Sequence, residues 1–174
     1  MKAFFTVHPG EFLVGDYITQ HLKFDVWVPA KDTGVDLLLT PRGKSNRAIK
    51  LQVKFSRSYD DDAAKFKDFV ATGWYTLDRE KIGKSEAVYW VFVIADFRKK
   101  AQFLIVPVAE LMKRIRGRGH KWNLYLTVCG KKIKAKCFDT RDLSDEERVE
   151  LFADGPVSLE RDYTSFLNKW TLLD

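Results

Sequence analysis

Gly34-Val35-Asp36-Leu37-Leu38-Leu39-Thr40 and Ala48-Ile49-Lys50-Leu51-Gln52-Val53-Lys54-Phe55-Ser56 decide the fold. Both read as strands, joined by the turn-rich Pro41-Arg42-Gly43-Lys44-Ser45-Asn46. In the second, period-two alternation turns Leu51, Val53 and Phe55 one way and Gln52, Lys54 and Ser56 the other. The first holds a single acid, Asp36, inside an apolar run. A carboxylate in such a run is costly to bury unless a cation compensates it. If the two strands pair, Asp36 joins Gln52 and Lys54 on one polar face.

Working outward, the spacing predicts a helix over Glu11 to Leu22, with Phe12, Tyr17, Ile18 and Leu22 among its apolar positions. Asp25 to Pro29 reads as a short strand. Beyond Ser56, Asp60-Asp61-Asp62 starts a helix over Ala63 to Val70, and Leu77 to Ile82 adds a helical turn. Val88 to Ala95 is apolar on both faces and suits a central strand covered on both sides, with Phe103 to Val108 beside it. A helix over Ala109 to Ile115 and a hairpin of Leu124–Val128 with Ile133–Phe138 follow. Ser144-Asp145-Glu146-Glu147 is a capping box, and Leu159, Tyr163, Phe166, Leu167 and Trp170 mark a closing helix. This order predicts an α/β fold, a mixed sheet flanked by helices with a C-terminal hairpin and helical addition. One domain of 174 residues is expected, its core about 1–117 and its addition about 118–174.

A hairpin turned at Gly130-Lys131 or Lys131-Lys132 would set Cys137 opposite Leu124 or Leu126, away from Cys129. Reduced, packed thiols are therefore expected. His8, His21 and His120 lack the mutual spacing of a ligand set. No apolar run approaches the roughly 20 residues of a membrane span, and the N-terminus lacks the apolar stretch of a signal peptide, so a cytoplasmic protein is expected.

Charge is unevenly distributed. The chain carries +6, but residues 139–174 hold ten acids and four bases, which leaves +12 on residues 1–138. Arg114, Arg116, Arg118 and Lys121, then Lys131, Lys132 and Lys134, form a basic stretch that suits a polyanion. A solvated charged face has the same composition.

Glu11 on an opening helix, Asp36 on a strand and Gln52-Val53-Lys54 on the next resemble the PD-(D/E)XK nuclease superfamily. The resemblance covers about two thirds of the chain and departs at two places: Val35 precedes the first acid in place of proline, and Gln52 replaces the second acid. It implies a restriction-endonuclease-like fold and Mg²⁺-dependent hydrolysis of DNA, double-stranded or branched, with Mn²⁺ able to substitute. Asp36, Gln52, Glu11 and the Val53 carbonyl would hold the metal. Lys54 would act beside it, and Ser56 would touch the DNA backbone. A homodimer is expected because duplex cleavage needs two centres. Two other readings stand beside it: a nuclease-fold protein weakened by Gln52 that binds nucleic acid, and a protein-interaction module. Glu11 as a helix-terminal acid and Asp36–Lys54 as a structural ion pair belong to those readings.

Overall fold

The structure, a computed structural model, describes residues 7–30, 34–43, 48–58, 68–96, 100–115, 119–130, 135–153 and 155–173. Helix α1 (Pro9–His21) starts at a capping box: His8 is the N-cap, Pro9 supplies a pre-set φ, and Glu11 accepts from the His8 main-chain N–H. It buries Gly10, Glu11, Val14 and Ile18. Phe12, read above as part of the apolar stripe, is instead 64% exposed. A Cβ on Gly10 would lie 2.8 Å from the Phe55 Cβ, so glycine lets the helix start close against the strand beneath it.

That strand belongs to a mixed five-stranded sheet. β1 (Phe24–Trp27), β2 (Leu37–Pro41) and β3 (Ile49–Arg57) form an antiparallel meander. The chain then crosses over through β4 (Phe69–Asp78) and α2 (Arg79–Lys84) to β5 (Tyr89–Ala95), which runs parallel to β3. β6 (Gln102–Pro107) pairs antiparallel with β5 at the sheet edge. As its two-faced apolarity predicts, β5 is buried on both sides. Val91 and Val93 pack with Val14 and Ile18 of α1, and Trp90, Phe92 and Ile94 pack toward a second layer.

The second layer is the main departure from expectation. Phe69 and Val70 lie in strand β4, not at a helix end; residues 60–67, where that helix was expected, are outside the described residues. After α3 (Val108–Arg114), β4 pairs with β7 (Lys121–Cys129), and β7 with β8 (Lys136–Asp139). This three-stranded sheet covers the central one. Gly73 permits the approach, since a Cβ there would sit 2.9 Å from Ile94 Cγ1. The segment after residue 117, read as an addition, therefore shares a sheet with β4 and a core with β5 and β6.

The hairpin register also differs: Cys137 faces Val128 and Cys129 faces Lys136, so neither expected partner, Leu124 or Leu126, stands opposite Cys137. Both cysteines are buried, and neither is in a disulfide. Helix α4 (Asp145–Phe152) starts at Ser144 through the expected capping box. The closing helix does not form. Thr164–Phe166 and Trp170–Leu173 are short 3-10 turns, and Asn168 is left-handed at φ 51°. The segment instead satisfies open strand edges: Phe138 bridges Asp162, Leu104 bridges Leu167, and the Asn168 side chain accepts from Phe103 N–H at 3.0 Å. Among the described residues no helix is long and apolar enough to cross a membrane.

Burial holds the Cys137 thiol and the Tyr75 hydroxyl well above their ordinary ranges, and Tyr75 donates to the Val93 carbonyl at 2.8 Å. Both groups hold their protons more tightly when folded than when unfolded. Their contribution is complete below the unfolded pKa and is lost as pH rises past it. Stability is therefore expected to fall above about pH 9, by up to about 1.4 kcal/mol per group per pH unit. Denaturant midpoints from pH 7 to 11 check this, and Tyr75→Phe should flatten the upper part of the curve.

Candidate active site

The site begins where two paired strands separate. β2 and β3 are in register through Leu37 opposite Leu51, and Asp36 N–H still donates to the Leu51 carbonyl at 2.8 Å. One step further, the Asp36 carboxylate serves as the acceptor: Oδ2 takes the Val53 N–H at 2.6 Å and the Gln52 side-chain amide. The acid in the apolar run is thus tied by two N–H donors to the next strand. Gln52 offers its amide nitrogen to Asp36, whereas a ligand role had suggested that its oxygen would lead. A glutamate at this position could not donate that hydrogen bond.

Gln52 and Lys54 lie on the β3 face predicted for them, in register with Trp90 and Phe92 of β5. The Lys54 ammonium stands 5.3 Å from the centre of the Trp90 ring, a cation–π contact that holds it in place. Glu11 reaches the same place because α1 starts on β3, with Gly10 against Phe55. Glu11, Asp36, Gln52, Val53 and Lys54 all line one cleft of about 850 Å³ between the two sheets. All four side chains proposed for catalysis from the sequence are brought together there.

The opposite wall was not legible. Thr76 and Asp78 of β4 and Lys81 and Lys84 of α2 line the cleft, joined by Lys121 at the start of β7. Asp78 is the N-cap of α2. Its carboxyl is held below the ordinary range first by the Lys81 main-chain N–H, with the Glu80 N–H and the charges of Lys121 and Lys81 adding to it. Lys84 pairs with Glu80. The available signal was the i, i+3 spacing of Lys81 and Lys84 around the buried Ile82. Trp90 was read only as a core residue; it is core and cleft wall together.

Two residues assigned to DNA contact lie elsewhere. Ser56 is 6% exposed, and its hydroxyl accepts from Trp74 N–H at 3.0 Å and donates to the Arg57 carbonyl, so it joins β3 to β4. Arg114 is 4% exposed. Its guanidinium donates to the Asp162 carbonyl and to Glu110 at 2.9 Å, and packs 4.7 Å from the centre of the Phe166 ring. A cation at the end of a short helix looked like surface charge, but the C-terminal segment closes over it. Arg114→Ala is expected to cost about 2 kcal/mol by stranding those partners, with the salt dependence of DNA binding unchanged. Chemical denaturation and a salt titration read the two parts. Arg116, Arg118, Lys131, Lys132 and Lys134 lie outside the described residues.

Oxygen donors from Asp36, Glu11, Gln52 and the Val53 carbonyl are of the hard type that Mg²⁺ takes. The set carries two anionic charges where an acid at position 52 would have made three. Among the described residues, no group of three or more His, Cys, Asp and Glu is arranged to hold a metal ion. The donor types fit a hard divalent cation, with Gln52 and the Val53 carbonyl the uncharged members. Comparison with protein-family models, with curated proteins and with solved structures returned no match.

Proposed function

We propose that this protein is a metal-dependent nuclease of the PD-(D/E)XK type that hydrolyses DNA phosphodiesters. The observation that carries the reading is the convergence of Glu11, Asp36, Gln52 and Lys54 on one cleft whose far wall presents Lys81, Lys84 and Lys121. The helix, the antiparallel meander and the crossover to a parallel neighbour of β3 support it. So does the position of the acid at the point where β2 leaves β3.

Asp36 and Glu11, with Gln52 and the Val53 carbonyl, would hold Mg²⁺ or Mn²⁺, which polarises the phosphate and lowers the pKa of attacking water. The remaining work belongs to the chain. The Lys54 ammonium, steadied by Trp90, offsets negative charge growing on the phosphate as water adds and the ester oxygen leaves. Lys81 and Lys121 hold flanking phosphates against the opposite wall. Duplex cleavage by this single site calls for a homodimer.

One observation favours a second reading, a nuclease fold that binds nucleic acid without cutting it. The Gln52 amide already donates to Asp36 and so fills part of the acceptor capacity that a cation would otherwise take. Incubation with plasmid, linear and branched DNA in Mg²⁺, Mn²⁺ and EDTA separates the two. The nuclease reading expects metal-dependent nicking or linearisation, reduced on the order of 10²-fold in Lys54→Ala. Binding without cleavage in either metal supports the second.

A further inference from the structure

The outer face of the second sheet alternates cleanly with its core face. Ala71, Gly73, Tyr75 and Leu77 of β4 are buried, while Trp74 and Thr76 between them are exposed; on β7, Trp122, Leu124 and Leu126 are buried and Asn123 and Tyr125 are partly exposed. Trp74 and Tyr125 are direct cross-strand partners. Their rings lie near-parallel, with centres 5.9 Å apart and planes 20° from each other. Trp74 is 48% exposed, a large aromatic surface to leave in water on an open sheet.

The register connects this pair to the cleft. Two residues along the strands, Thr76 and Asn123 share a side-chain hydrogen bond at 3.1 Å. Two further along, Asp78 faces Lys121, and Thr76, Asp78 and Lys121 all line the cleft. At the other end the face is closed, because Phe138 beside Thr127 packs on Phe152 of α4. The open strip therefore begins at two flat aromatic rings and ends at the cleft lysines.

We propose that this strip is a stacking platform for a single strand of DNA, with bases on Trp74 and Tyr125 and the backbone led past Lys121 to the cleft. Flat, exposed aromatics on a sheet face hold unpaired bases, because every base has a π-face while bases within a duplex are already stacked. The lysines at one end supply the charge complement that a polyanion needs and a neutral protein partner does not. The proposal deepens the nuclease reading by naming its substrate class: DNA with an unpaired segment, such as an overhang, a flap or a branch.

The test measures binding in EDTA, without catalysis, by fluorescence anisotropy of labelled single-stranded DNA, single-stranded RNA of the same sequence, and blunt duplex. The intact chain is expected to bind the DNA strand at least tenfold more tightly than the duplex. Trp74→Ala and Tyr125→Ala should each weaken that binding by about tenfold. Trp74→Phe should recover most of the loss, and Trp74 fluorescence should be quenched by the oligonucleotide. Tighter binding of duplex or of RNA, or unchanged affinity in both alanine variants, overturns the proposal. So does a change of oligomeric state in Trp74→Ala, by sedimentation, with strand affinity intact; the face would then be a contact between copies. Cleavage assays in Mg²⁺ on the same substrates keep the two readings apart. Metal-dependent cutting without strand preference removes the platform alone, and strand binding without any cutting removes the nuclease alone.

Discussion

Asp36→Asn is expected to reduce metal-dependent cleavage by on the order of 10²–10³-fold while shifting stability by less than about 1 kcal/mol. Asparagine is the informative replacement because of what Asp36 holds. Its Oδ2 accepts from the Val53 N–H and from the Gln52 amide. The amide oxygen of asparagine, set where Oδ2 now lies, still accepts from both the Val53 N–H and the Gln52 amide, and the new nitrogen replaces the other oxygen. The negative charge is lost and little else changes. Asp36→Ala is a poorer test, because it strands the Val53 N–H and costs about 1–3 kcal/mol. Plasmid cleavage and thermal melting measured together decide the matter. An Asp36→Asn protein that cuts as fast as the parent would remove Asp36 from the reaction.

Gln52→Glu is expected to lower stability by about 3 kcal/mol in EDTA at neutral pH, and to recover it in Mg²⁺. The substitution removes the hydrogen bond donated to a charged acceptor, worth about 1.5–3 kcal/mol. It also sets a second carboxylate against Asp36 in a site where Gln52 is only 9% exposed. Like charges so placed push one carboxyl to a higher pKa than it has unfolded. A group raised in this way gives stability that is present at low pH and lost as pH rises through the folded value. The penalty should therefore be small near pH 5, where a shared proton replaces the lost donor, and full by pH 8. A divalent cation bridging the two carboxylates replaces that proton. Half-saturating Mg²⁺ for cleavage should consequently fall, since a carboxylate is the better ligand for a hard cation. Melts across pH with and without Mg²⁺ read all of this. A variant equally stable in Mg²⁺ and EDTA would take position 52 out of the metal site. One as stable as the parent in EDTA at pH 8 would contradict the observed hydrogen bond.

The sequence by itself determined the central sheet and one wall of the cleft. Period-two alternation in Leu51 to Ser56 placed Gln52 and Lys54 on one face, and the two-faced apolarity of Val91, Phe92 and Val93 marked a covered strand. These signals are local: a strand's faces follow from its pleat, and an acid in an apolar run is conspicuous wherever it sits. The capping box at Ser144 was equally readable, because a helix start is written within four residues, whereas the N-cap at His8 carries no such signature.

Only the tertiary structure decided the rest, because it depended on partners distant in sequence. Phe69 to Asp78 is rich in aromatic and β-branched residues, but Gly73 and the apolar Trp74 on its outer face blur the alternation in sequence, and it becomes β4 by pairing with β7 some fifty residues later. With β4 unrecognised, Thr76, Asp78 and the lysines of α2 could not be assigned to the opposite wall. Arg114 looked like part of a basic surface until the C-terminal segment covered it. That segment has helical spacing in its apolar residues, yet the unpaired edges of β6 and β8 took its backbone groups instead. Long-range pairing outweighed local propensity wherever an open strand edge needed a partner.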